Sequence, residues 1–289
     1  MAQKRGISTV QSAAERTTEP VAKTLGPNSK APPSVLHERC LYCAGEDRRE
    51  LLEALAETGP SDARAKAQAH LDAGRAEEIA SDDRTAHWYY RSYEFWRFHD
   101  FCLMLSGIGT GCLEPLLFEV LRANVVRKIV LVGTAGSMPG SKAALGEAYA
   151  VDRAWPAGTG IDGEVRDLPL TPRWDLTHID KTASSVSSDF FYGFAPGILD
   201  GTYPIDRGPL KTLFAEHLRR GTELVEMEIA QFYFFCQNFG GKDLQYLAVK
   251  AVANAVGSEG QQAANSRLAI VRSLETAFRA LGIPAQAGT

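Results

Sequence analysis

The stretch LMLSGIGTGCLEPLLFEVL, residues 103 to 121, runs from apolar residues into Gly107, Ile108, Gly109 and Gly111 and then into a helical pattern. A strand that ends in a glycine-rich turn and feeds a helix leaves unpaired N–H groups at the helix's positive end. An anion or a sugar hydroxyl can sit there, with Ile108 and Gly109 against it. The spacing is not the dinucleotide fingerprint G-x-G-x-x-G, because the sixth position is Cys112. Cys40 and Cys43 form a C-x-x-C, the chemistry of a redox pair or of half a zinc site. No second cysteine pair completes a zinc set, and the motif lies in a strand-like stretch. The preferred reading is two buried small residues, and no metal is expected.

Alternating elements must position these residues. RCLYCAG, from Arg39, reads as a strand, and EDRRELLEALAE reads as a helix with Leu51, Leu52 and Leu55 on one face. Residues 60 to 84 are Ala-rich and charged, a solvated helix or excursion. HWYYRSYEFWRFHDFCLMLSG holds two β-rich runs dense in aromatics. KIVLVGTAGSM is continuously apolar, as a strand covered on both faces should be. EAYAVDRAW, LVEMEIAQFYFFCQNFG and the strand LQYLAVKAVAN follow. Last comes an amphipathic helix carrying Ile270, Leu274, Phe278 and Leu281 at three- and four-residue steps. This order specifies an α/β fold with a mostly parallel sheet and helices on both sides. In such sheets ligands bind beyond the carboxyl ends of the strands. The loops AGEDRR, SGIGTG, GTAGSM, SSDFFYGF and VANAVGSEG all fall at such ends.

Composition narrows the function classes. The 289 residues are 45% hydrophobic and 23% charged, as in an ordinary globular protein, and residues 34 to 289 read as one domain. Residues 1 to 33 have no signal-peptide apolar segment and read as a disordered tail. A net charge of −4 offers no basic field for nucleic acid, and no apolar run is long enough to span a bilayer. Five cysteines, an odd number, do not form a secreted disulfide framework, so a cytoplasmic location is expected.

With KIVLVGTAGSM and LVEMEIAQF in place beside SGIGTG, SSDFFY and AGEDRR, the chain resembles the nucleoside phosphorylase and nucleosidase superfamily over residues 39 to 283. That superfamily includes purine nucleoside phosphorylase, uridine phosphorylase and methylthioadenosine nucleosidase. The pattern is most similar to the hexameric purine enzymes. The resemblance implies a three-layer α/β/α sandwich with a twisted, mostly parallel mixed sheet. It also implies a homo-oligomer (dimer, trimer or hexamer), small-molecule nucleoside as partner, and no cofactor beyond inorganic phosphate as co-substrate.

The implied chemistry is cleavage of an N-glycosidic bond, in which the sugar gains positive charge as the base leaves. By resemblance Glu228 holds the ribose hydroxyls and stabilises that charge, with Met227 packed on the sugar. Phe191 stacks on the base above Val225. Gly45, Arg49 and Thr134 contact phosphate, which favours phosphorolysis to free base and ribose 1-phosphate. Asn254 stands where the family has an Asp that protonates N7 of the base, and Arg267 matches the arginine that pairs with that Asp.

Two positions depart from the pattern. Leu131 replaces a second phosphate arginine, for which Arg84 or Arg91 of a neighbouring subunit is the available substitute. Asn254 cannot act as an acid, though its amide can hydrogen-bond a developing negative charge. Phosphorolysis of a purine-type nucleoside is the leading expectation. The alternatives are hydrolysis, with Glu46 or Asp47 activating water, and a non-catalytic nucleoside-binding module.

Overall fold

The computed structural model describes residues 24–74, 86–157, 168–189, 208–256 and 262–284. Its apolar strands bury both faces. In strand β1 (Arg39–Ala44), Cys40, Tyr42 and Ala44 point into one core, while Leu41 and Cys43 point into another. Strand β5 (Lys128–Ser137) separates Ile129 and Leu131 from Val130 and Val132 in the same way. Successive strand residues face opposite sides, so residues three apart part company. Cys40 and Cys43 therefore lie in different cores, and all five cysteines are free.

Helices α3 (Thr110–Ala123) and α5 (Ile229–Phe239) cover the first core. The second lies under α1 (Arg48–Thr58), α2 (Ser61–Asp72) and α6 (Gln262–Leu281). The result is a three-layer α/β/α arrangement. The charged stretch after residue 60 is less solvated than its composition predicts, because Ala63 and Ala67 of α2 are fully buried beside α1. A further helix, α4 (Gly208–Arg219), precedes β8 (Leu224–Glu226).

The remaining strands are β2 (His87–Tyr90), β3 (Tyr93–Arg97), β4 (Cys102–Ser106), β6 (Ala148–Pro156), β7 (Thr182–Ser187) and β9 (Gln245–Ala255). Among the described residues they form one mixed sheet in the order β2-β3-β4-β1-β5-β8-β7-β6-β9. Strands β4, β1, β5 and β9 run parallel, and β9 also pairs with β5, so the sheet closes on itself from β5 through β6. A bulge between Ala135 and Gly136 shifts the β5–β9 register at the carboxyl end. That end gathers Ser106, Thr134 and Asn254.

The boundary of the N-terminal segment differs from expectation. Residues 24 to 33 are docked, not loose: Leu25 and Ala31 join the first core, and buried Glu119 of α3 accepts the N–H groups of Asn28 (2.7 Å) and Ser29 (3.0 Å). Short loops with buried anchors can be ordered without any regular element, which composition alone does not reveal. Among the described residues no helix is long and apolar enough to cross a membrane.

Candidate active site

The loops after β1, β4 and β8, with residues of β5 and β9 and Ser266 of α6, enclose a cavity of about 230 Å³. Two glycines let these loops meet. Gly45 has φ +76°, and a Cβ there would lie 2.8 Å from the Ile108 side chain. Gly133 has φ +150°, and its Cβ would stand 2.5 Å from a Glu46 carboxylate oxygen and 3.1 Å from the Lys250 ammonium. Any side chain at Gly133 would fill the space that Glu46 and Lys250 share.

Glu228 is where the sequence predicts a sugar-binding carboxylate, and the structure buries it at the cavity wall. One oxygen accepts the Gly109 N–H (3.0 Å), and the other faces the Lys250 ammonium (3.2 Å). The glycine loop thus uses an N–H to hold a protein carboxylate. Its neighbour behaves alike: the Thr110 hydroxyl donates to Asp189 (2.7 Å).

Glu46 accepts both the N–H and the hydroxyl of Thr134, the latter at 3.0 Å. Burial raises its carboxyl above the ordinary range, and Glu228 adds to this, while Lys250 and the Thr134 hydrogen bonds oppose it. Asp47 also borders the cavity, but its side chain caps α1 by accepting the Glu50 N–H (2.9 Å). Of the two acids expected to activate water, Glu46 has its carboxylate on the cavity's polar wall.

Lys250 is the cavity residue that the sequence did not point to. It is 1% exposed, and burial alone would push its ammonium down. The carboxylates of Glu228, Glu226 and Glu46 outweigh this and hold it well above the usual lysine range. The available signal was a lysine inside the apolar strand LQYLAVKAVAN, since a charge in a strand buried on both faces must be paired.

Met227 and Ile108 line the cavity, the latter 57% exposed at its mouth, and Gly45 and Thr134 border it too. Asn254 is buried opposite Gly136. A Cβ at Gly136 would meet Val225 at 3.2 Å and the Asn254 amide oxygen at 3.5 Å, so Val225 and Asn254 flank one niche. Val225 packs there with Met138, Ala157 and Val186.

Val225 and Asn254 do not line the cavity itself, and Arg49 and Arg267 point away from it. Arg49 points to solvent and pairs with Glu53 (3.2 Å); Arg267 pairs with Glu57 (2.7 Å) and Glu53 (3.8 Å). Both corrections follow from helix geometry, in which consecutive residues point about 100° apart. On α6, Ser266 faces the cavity and donates to Glu50, which turns Arg267 outward. On α1, Arg48 turns inward to buried Glu94 (2.8 and 2.9 Å), which leaves Arg49 outside. Leu131 is core, and Arg91 stands over the Tyr90 ring in the β2–β3 turn. Phe191 and Arg84 lie outside the described residues.

No family model and no curated protein matches this sequence. Solved structures do match its fold. One is a 5′-methylthioadenosine/S-adenosylhomocysteine nucleosidase from Colwellia psychrerythraea in complex with adenine: 14% identical, TM-score 0.57, covering 85% of this chain and 95% of that one. Another is the purine nucleoside phosphorylase of Toxoplasma gondii in complex with immucillin-H (14%, TM-score 0.56, 87% and 94%). A third is the futalosine hydrolase of Helicobacter pylori (15%, TM-score 0.54, 85% and 97%). The chain has the fold that these phosphorylases and hydrolytic enzymes share.

Proposed function

We propose that this chain hydrolyses the N-glycosidic bond of a purine-type nucleoside in the Glu46–Glu228–Lys250 cavity. The observation that carries the reading is the Glu46 carboxylate on Thr134. It occupies the N–H and hydroxyl that a phosphate co-substrate would need. Glu228 likewise takes the Gly109 N–H, and four acidic residues border the cavity against Lys250. Such a wall favours a developing cation over an incoming anion.

In this mechanism Glu228 accepts hydrogen bonds from the ribose and stabilises positive charge at the anomeric carbon. Lys250 holds Glu228 aimed into the cavity. Glu46 takes a proton from the water that attacks that carbon, a task suited to a carboxyl held above its ordinary range. Val225 backs the base, and Asn254 donates its amide N–H to the base as negative charge develops there. The reading needs no cofactor, and belongs with a cytoplasmic homo-oligomer.

Phosphorolysis is the second reading, favoured by Thr134 and Gly45 at the cavity wall. Base release from adenosine, inosine, guanosine and methylthioadenosine, followed with and without phosphate, separates the two. Equal rates support hydrolysis, and a strict phosphate requirement overturns it. Nucleoside binding with no product in either condition would point to the non-catalytic module.

A further inference from the structure

Glu228 occupies the N-cap position of α5, yet its side chain makes no capping bond. A polar N-cap residue ordinarily turns its side chain back on its own helix. Here Ser187 and Glu226 satisfy the start of the helix between them. Glu226, the last residue of β8 and 2% exposed, accepts the N–H groups of Glu228 (2.7 Å) and Ile229 (2.8 Å) on one oxygen. Its other oxygen accepts the hydroxyls of Ser185 (3.1 Å) and Ser187. Ser187 also accepts the next helical N–H, that of Ala230 (2.7 Å). The first turn of α5 is therefore capped from β7 and β8.

We propose that Glu226 is a positioning residue for the sugar-binding carboxylate: by accepting the N–H groups of Glu228 and Ile229, it fixes the backbone from which the Glu228 side chain faces the cavity. This rests on the hydrolase reading for the role of Glu228 but concerns a different residue and a different interaction. Without Glu226 the buried N–H groups of Glu228 and Ile229 would lack their acceptor, and the backbone that aims Glu228 at Gly109 and Lys250 would lose its anchor. Four donors converge on Glu226, so what its position demands is reach and acceptor geometry.

Glutamine and aspartate separate geometry from charge. Glu226→Gln keeps the length; its amide oxygen can accept the two N–H groups, and the serine hydroxyls can rotate to accept from its amide nitrogen. Glu226→Asp keeps the charge but is one methylene short. The measurements are kcat and KM on whichever nucleoside the natural chain cleaves fastest, with nucleoside and free-base affinities by calorimetry. Glu226→Gln also removes one of the carboxylates facing Lys250, and it should still lose clearly less in kcat than Glu226→Asp. Glu226→Asp should lose at least about tenfold in kcat, given that misplacements of about 1 Å can cost 10²-fold. Free-base affinity should be unchanged in both, because the base does not touch Glu228.

The opposite ranking, with aspartate active and glutamine not, would overturn the proposal in favour of a charge role. Equal activity in all three would also overturn it. If the natural chain binds nucleoside but releases no base, hydrolysis fails by itself. The positioning claim is then read from binding alone: Glu226→Asp should weaken nucleoside but not free-base affinity, and unchanged nucleoside affinity would overturn it.

Discussion

Lys250 and Glu228 face each other at 3.2 Å in the wall of the cavity, the lysine 1% exposed. A buried ion pair gains little in net stability, but breaking one side leaves an uncompensated charge, so the pair acts as a fixture that keeps Glu228 aimed. Lys250→Met should lower the rate of base release by at least about tenfold and destabilise the chain by about 3–5 kcal/mol, read from denaturant unfolding. A variant of natural stability and natural rate would remove Lys250 from the mechanism.

Glu228→Gln preserves shape while removing the charge that opposes the sugar cation. Base release should fall at least about a hundredfold, or roughly 2.7 kcal/mol at the transition state, with a smaller loss in nucleoside affinity. Steady-state kinetics beside calorimetry would show the split.

Glu46 should set the acid limb of the pH–rate profile. A base works only when deprotonated, and burial holds this carboxyl above its ordinary value, so activity should fall away on acidification at a higher pH than an exposed glutamate would give. The sign for stability is opposite. A carboxyl whose folded value is raised favours the folded state on acidification, so Glu46→Gln should cost little stability at neutral pH while removing the limb. A limb that survives in Glu46→Gln belongs to another group.

Arg49 and Arg267 should be dispensable. Their partners are Glu53 and Glu57 on an exposed helix face, where ion pairs contribute about 0–1 kcal/mol. Arg49→Ala and Arg267→Ala should each change base release by less than about twofold, as expected of exposed residues outside the cavity. A sharply raised phosphate requirement in Arg49→Ala would restore phosphorolysis.

Asn254→Asp introduces an acid where the leaving base is expected. Release from a 6-aminopurine nucleoside should rise, by up to about 10²-fold, the lower end of what a general acid supplies, since Arg267 is not at hand to orient it. Release from a 6-oxopurine nucleoside should not rise in parallel. Parallel changes in both, or none, would place residue 254 away from the base.

Much of the architecture was legible because it rests on local periodicity. KIVLVGTAGSM and LQYLAVKAVAN are apolar on both alternating faces over most of their length, as a strand covered on both faces is, and β5 and β9 are such strands. Ile270, Leu274, Phe278 and Leu281 recur on one helical face, and α6 buries all four. The motif VEME marked Glu228, and its burial in the cavity follows from the apolar residues around it.

What a side chain faces across the sheet was not legible, because it depends on helix rotation and on loops meeting from distant parts of the chain. Arg48, Arg49, Ser266 and Arg267 illustrate this. In each adjacent pair, one residue turns inward and its neighbour 100° away turns out, and nothing in their types says which. Glu46 and Thr134 are 88 residues apart, and their contact exists because Gly133 has no side chain to hold them apart. Sequence determined which residues are available to the chemistry. The packing of β1, β5 and β9 side by side decided that Glu46, Thr134 and Lys250 share one cavity, since only paired strands bring their carboxyl-end side chains within hydrogen-bonding distance.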